Sequence, residues 1–212
     1  MAKPIEESWH LIEAWLEANA PRIRANLNPG ASDAALDEAE TALGITMPAD
    51  WRTLYRVHDG MNDTGNFGSL FYGMQFMPLK RVLEEQSLSS TATSAKVPVK
   101  SADRGINSLD LNNPKWIGLT HDYGDTQLRV DMDPGIDGHS GQVIFTDQAY
   151  RVAILLAPNI ADFLATFTAE LEKGLYTLNP EALADGNHFL DCAKEIDIVN
   201  WSSSPRWKHL ST

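Results

Sequence analysis

Cysteine is nearly missing from this chain: Cys192 is the single one in 212 residues. A lone thiol excludes an internal disulfide and any all-cysteine metal cluster, and it fits a reducing compartment in which the thiol stays buried or idle. Positive charge is scarce as well, with 17 Lys and Arg against 29 Asp and Glu and a formal net charge of −12. Gripping phosphate backbones needs concentrated Lys and Arg to displace counterions, so nucleic acid is not an expected partner. The imbalance suits a basic protein partner, and it serves solubility equally well. No run approaches the roughly 18 apolar residues of a membrane span. The opening MAKPIEES offers neither a basic start nor an apolar stretch. The expectation is therefore a cytoplasmic protein with no membrane partner. Also absent are a G-x-S-x-G nucleophile elbow, a G-x-x-x-x-G-K-[ST] phosphate loop and an H-E-x-x-H zinc helix. No internal repeat or low-complexity tract points to a solenoid.

What is present begins with helical periodicity. Ile5, Trp9, Ile12 and Leu16 fall on one face of a helix that Pro21 limits. Ser32 announces a second helix carrying Leu36, Ala39 and Leu43, and Gly44 ends it. In MPADWRTLYRVHDG, Pro48 stands at a first-turn position, Trp51, Leu54, Tyr55 and His58 share a stripe, and Gly60 is placed to take a left-handed cap. A Gly- and Asn-rich turn from Gly60 to Gly68 follows, then SLFYGMQFMPL reads as extended and Pro78 opens a helix through Arg81, Leu83 and Glu85. Residues 87–113 are rich in Ser, Thr and Asn and read as a long surface loop with little structure of its own.

From Trp116 the pattern becomes that of an antiparallel sheet. KWIGLT leads through a turn at HDYGD into TQLRVDM, where Leu128, Val130 and Met132 alternate with Gln127, Arg129 and Asp131. QVIFTD and YRVAILLA supply two more strands, the second apolar enough to be buried on both faces. Pro158 begins a helix with Ile160, Phe163, Leu164, Phe167 and Leu171 on one stripe and Gly174 as its cap. Leu128, Val130, Ile144, Ile154, Leu156, Phe163 and Phe167 are expected in one core between sheet and helix. The order predicts an α+β fold: an antiparallel meander with helices packed on it, N-terminal helices and one C-terminal core helix. Residues 1–178 read as a single domain, and 179–212 as an extension whose Phe189, Leu190, Ile196, Ile198, Val199, Trp201 and Trp207 pack back onto it.

The stretch GDTQLRVDMDPGIDGHSG at 124–141 asks whether its aspartates hold a metal. An EF-hand loop needs glycine at its sixth position and a bidentate glutamate at its twelfth. Counting from Asp131, those places hold Ile136 and Gln142. Pro134 and Gly135, Gly138 and Gly141 instead describe a turning chain in which Asp133 and Asp137 bond to nearby amides. No metal and no cofactor are expected. Asp131 stands on the face opposite Leu128 and Val130, either solvated or aimed into a cleft. His121 and His139 read as turn residues, and Cys192 has only His188, four residues back, as a candidate activator.

MPADWRTLYRVHDG resembles a family signature of a leucine-proline pair, an aromatic-bearing helix and an asparagine-glycine ending, with Met47 and Asp59 as departures. WIGLTHDYGDTQLRVDMDPGIDGHSGQVI with ILLAPNIADFLATF resembles its second half. The family is the SUKH superfamily, in the branch of cell-wall assembly regulators of Smi/Knr type, and the resemblance covers about residues 32–175. It implies a non-enzymatic α+β domain that binds proteins: in bacteria an immunity protein neutralising a toxin domain, in fungi a scaffold for cell-wall and morphogenesis signalling. A basic toxin such as a nuclease suits an acidic partner. No catalytic residue carries over. The candidate partner-binding residues are Asp122, Tyr123, Asp125, Asp131 and Asp133, where carboxylates steer and a tyrosine anchors. The bland alternative is that Tyr123 covers the sheet end and the aspartates cap turns. A small-ligand or cation-regulated domain and a hydrolase using the turn aspartates stay open as other classes.

Overall fold

The computed structural model describes residues 3–62, 68–91 and 96–210. The expected turn at 60–68 lies partly outside them. The chain opens with α1 (Ile5–Asn19), which buries Ile5, Trp9, Ile12 and Leu16 as their spacing requires. Pro21 ends that helix and starts another, α2 (Pro21–Asn26), because a first-turn proline gives up no bonded N–H. α3 (Asp33–Leu43) is capped by the Ser32 hydroxyl, which accepts from the Ala35 amide, and by Gly44 at φ 66°. α4 (Ala49–Val57) buries Trp51, Leu54 and Tyr55 and ends at an extended His58. Gly60 is therefore not its cap. Its φ of 67° serves a close crossing instead, since a Cβ there would stand 2.2 Å from the Pro78 nitrogen.

β1 (Gln75–Phe76) precedes α5 (Leu79–Thr91), and β2 (Ser101–Ala102), β3 (Trp116–Gly118), β4 (Thr120–His121), β5 (Thr126–Asp131), β6 (Gln142–Asp147) and β7 (Val152–Ala157) follow. The main sheet runs β2-β7-β6-β5-β3, and β1 pairs separately with β4. The class is α+β, but the sheet is mixed: β2 runs parallel to β7. That edge strand arises inside the segment expected to be a loop. α5 continues to Thr91, and residues 96–113 cover one sheet face with Val97, Val99, Ile106 and Leu111. Scattered apolar residues in a polar stretch hide such a covering segment from a periodicity test.

The sheet thus has two buried faces. Leu128 pairs with Phe145 and Val130 with Val143, and these face the helices together with Val152 and Ile154. Ile144 was expected among them, but it stands between Val143 and Phe145 and so points to the other side, beside Trp116 and Ala153. Leu156 is only partly buried. α6 (Ile160–Glu172) sends Phe163 and Phe167 against Phe71, with ring centroids 5.1 Å and 4.9 Å apart. Each such buried side chain contributes about 1.5–3 kcal/mol.

Beyond α6 come β8 (Tyr176–Leu178), α7 (Pro180–Ala184), β9 (Leu190–Cys192) and a 3-10 turn at Lys208–Leu210. Leu190, Ile196, Ile198, Trp201 and Trp207 join the main core. The Trp201 indole donates to Asp147 Oδ2 at 3.0 Å, the Trp207 indole donates to the Ile196 carbonyl at 2.8 Å, and Arg206 pairs with the buried Glu170.

Candidate functional site

The β4–β5 turn is built by Asp122. Its Oδ1 accepts the amides of Gly124 at 2.8 Å and Thr126 at 3.3 Å, an Asx-type closure that lifts the intervening residue outward. That residue is Tyr123, at φ 61°, a left-handed conformation uncommon for any side chain but glycine. Its ring is 63% exposed, lies edge-on to His121 with centroids 4.2 Å apart, and donates its hydroxyl to Gln75. Asp125 is exposed beside it. His121 is not a surface turn residue: it belongs to β4 and is buried. The exposed His139 does lie in a turn region.

The other end of β5 has a different fate. Asp131 has no exposed surface and accepts from the Gln142 side chain and the Asp133 amide, each at 2.8 Å. Burial raises its pKa above the usual carboxylate range. Asp133 accepts from Asn113 and Asn107, each at 3.0 Å, and from Lys115 at 3.4 Å, and the Asn113 hydrogen bond leads the set that holds its pKa low. These aspartates bind the 104–115 segment to the β5–β6 connection. The length of β5 separates them from Asp122 by about 20 Å at roughly 3.3 Å per residue. The five expected contact residues therefore do not share one face. Asp122, Tyr123 and Asp125 stand together, Asp133 is distant, and Asp131 is closed to any partner. Among the described residues no group of three or more His, Cys, Asp or Glu is arranged to hold a metal.

Next to the Tyr123 turn lies a cleft of about 250 Å³ between α5 and the sheet face that carries Trp116 and Arg129. Val82, Glu85 and Leu88 of α5 form one wall, Trp116 of β3 with Gln127 and Arg129 of β5 the other, and Asp125 stands at the rim. Gly118 permits the approach, since a Cβ there would fall 2.5 Å from Met77 Cε. Each Glu85 oxygen accepts one hydrogen bond, from Arg81 at 3.0 Å and from Gln127 at 2.8 Å. Arg129 Nε is buried without a hydrogen-bond partner, and Arg129 forms no ion pair with a described carboxylate. Burial draws the guanidinium down to about 10, against the pull of Glu85, so it remains charged at neutral pH. Alternation put Arg129 on this face beside Asp131, and only the missing partner singles it out.

The acids of the MPADWRTLYRVHDG stretch have structural duties. Asp50 Oδ2 accepts the amide of Ile160 at the start of α6, and Asp59 Oδ1 accepts the amide of Leu79 at the start of α5, at 2.9 Å and 2.7 Å. His58 bridges the Asn28 carbonyl and Glu13. Cys192 stands on β9 and His188 precedes that strand, so they share no helix face, and burial pushes the thiol up to about 12. A protonated thiol is not a nucleophile at neutral pH.

The arrangement is that of an α+β domain presenting an exposed turn and a small cleft. The profile of the SMI1 / KNR4 family (SUKH-1) matches residues 30–166, well over half of the chain. The chain belongs to that family. Relatives include the "Cell wall biosynthesis/cell cycle regulator smi1" of Schizosaccharomyces pombe, 28% identical over 192 residues covering 84% of this chain and 38% of the relative. The "Glucan synthesis regulatory protein" of Neurospora crassa is 25% identical over 213 residues, 84% of this chain and 40% of the relative. The "Cell wall assembly regulator SMI1" of Saccharomyces cerevisiae is 27% identical over 208 residues, 81% of this chain and 41% of the relative. The chain spans about two fifths of the length of these relatives, which are named as regulators. No helix among the described residues is long and apolar enough to cross a membrane.

Proposed function

We propose that this chain is a non-enzymatic protein-binding domain acting as a regulatory scaffold of the cell-wall and morphogenesis kind, the sense carried by its relatives' names. The observation that carries the reading is Tyr123. A large aromatic side chain is held outward on a left-handed backbone by Asp122 and Gln75, and such backbone strain persists where surrounding structure enforces it. A tyrosine fixed before contact loses little freedom on binding, and tyrosine is favoured at interface hot spots. Asp122 and Asp125 beside it steer a basic partner.

The test uses a partner recovered by cross-linking from native lysate, with association rates measured against salt. Asp122→Asn with Asp125→Asn should lower the on-rate and its salt dependence, and Tyr123→Ala should raise the off-rate. Identical behaviour of all three proteins would move the binding face elsewhere.

A second reading, immunity to a basic toxin domain such as a nuclease, draws its support from the net charge of −12. Protection of cells expressing such a toxin, lost in the same acidic double variant, would favour it over the scaffold.

A further inference from the structure

We propose that the cleft between α5 and the Arg129 face of β5 is a socket in which Arg129 takes the carboxylate of one Asp or Glu side chain, presented by a basic segment of a protein partner. The proposal rests on the protein-binding reading and adds the chemistry of the contact.

The socket is small. At about 250 Å³ it falls below the roughly 300–1,000 Å³ of typical ligand pockets, which fits a single side chain and excludes a nucleotide-sized ligand. Among the described residues that line it, Arg129 Nε and Trp116 Nε1 are buried without a hydrogen-bond partner, and of the two only Arg129 carries a charge, on a planar fork that matches a carboxylate with two parallel hydrogen bonds. The chain's own nearby acid, Glu85, is turned to Arg81 and Gln127, which each donate to one of its oxygens, and it makes no ion pair with Arg129. A buried donor without an acceptor costs stability, and an incoming carboxylate removes that cost. A phosphate dianion would bring two charges between Glu85 and Asp125, so the monoanion is favoured. Val82, Leu88 and Trp116 supply an apolar wall for the methylene stem of the same side chain. The exposed Asp125 at the rim, with Asp122 next to it, faces the residues that flank the acid, and complementarity there requires Lys or Arg.

The experiment is a cellulose-bound array of lysine-flanked octapeptides whose central residue is Glu, Asp, Gln, Ser or phosphoserine, followed by titration of the retained sequences in solution. Wild type should bind Glu- or Asp-centred peptides about tenfold or more tightly than their Gln counterparts, the step expected for a hydrogen-bonded charge pair. Arg129→Gln, with its melting temperature checked, should erase that ratio. Leu88→Glu provides a second variant at a 70% exposed position on the same wall, offering an internal carboxylate that should also depress it. The Arg129 Nε–H resonance should shift with the Glu peptide and not with the Gln peptide. Equal binding of acid and amide, survival of the preference in both variants, or selection of phosphoserine over Glu would each overturn the socket. Lysine-flanked peptides retained whatever their centre, and lost on Tyr123→Ala, would sink the socket while leaving the protein-binding reading intact. An array on which nothing is retained counts against both.

Discussion

The Asp50 carboxylate accepts the backbone N–H of Ile160 at 2.9 Å, joining two positions 110 residues apart. α6 is thereby capped twice, since Asn159 accepts the Asp162 amide at 2.8 Å while Asp50 takes the Ile160 amide. A helix end leaves its first amides unpaired, and a side chain from a distant helix serves as well as a local one. Asp50 also accepts the Trp51 amide within α4, so one residue ties the signature helix to the core helix.

Asp50→Ala should therefore destabilise the domain by about 1–2 kcal/mol, the usual cost of a lost cap. Asp50→Asn should lose less, because its one amide oxygen can still accept from Ile160 although the Trp51 amide then loses its acceptor. Urea unfolding of both variants gives the difference, and equal losses would show that the Ile160 cap by itself contributes nothing.

Asp59 lends itself to a pH experiment. Burial raises its pKa, against the opposing hydrogen bond from Leu79. A carboxyl whose folded pKa lies above its unfolded one loses stability as pH rises from the ordinary carboxylate value through the folded value, since the native state then surrenders a proton it holds more tightly. Asp59→Asn keeps the acceptor for Leu79 and removes the ionisation. The variant should be more stable than wild type at pH 7, by no more than about 1 kcal/mol for a half-buried group, and should lose that advantage below the carboxylate range. Melting temperatures between pH 3.5 and 7 test the sign, and an advantage that grows in acid would contradict it.

The tail is pinned by the Trp201 indole, which donates to Asp147 Oδ2 at 3.0 Å where both residues are buried. Trp201→Phe keeps most of the apolar contact and leaves that oxygen without the donor. A loss of about 1–3 kcal/mol is expected, with faster proteolysis beyond residue 194. Proteolysis unchanged from wild type would mean that Arg206–Glu170 and Trp207 hold the tail unaided.

Calcium titration checks the aspartate-rich turn. Asp133 is committed to Asn107, Asn113 and Lys115, and Asp131 to Gln142, so a cation would have to break those contacts before binding. Calorimetry should detect no site tighter than about millimolar for calcium, magnesium, manganese or zinc. A micromolar site removed by Asp131→Asn with Asp133→Asn would reverse that assignment.

Much of the architecture is written locally. The stripe of Ile5, Trp9, Ile12 and Leu16, the caps Ser32 and Gly44, and the alternation through Leu128 and Val130 depend only on residues within a few positions of one another, so helix and strand periods determine them. The family signature around Trp51 is legible for the same reason. What period cannot reveal is which neighbour arrives from far along the chain. Alternation places Arg129 and Asp131 on one face, yet Asp131 is sealed by Gln142 while Arg129 lines a cleft, because different segments lie over the two ends of the same strand. The parallel pairing of Ser101 with Val152, the second apolar layer around Ile144, and the caps that Asp50 and Asp59 give to distant helices likewise depend on chain crossings. Tertiary structure decided these, since burial, charge state and hydrogen-bond partner are properties of what packs opposite a residue and not of the residues beside it in sequence.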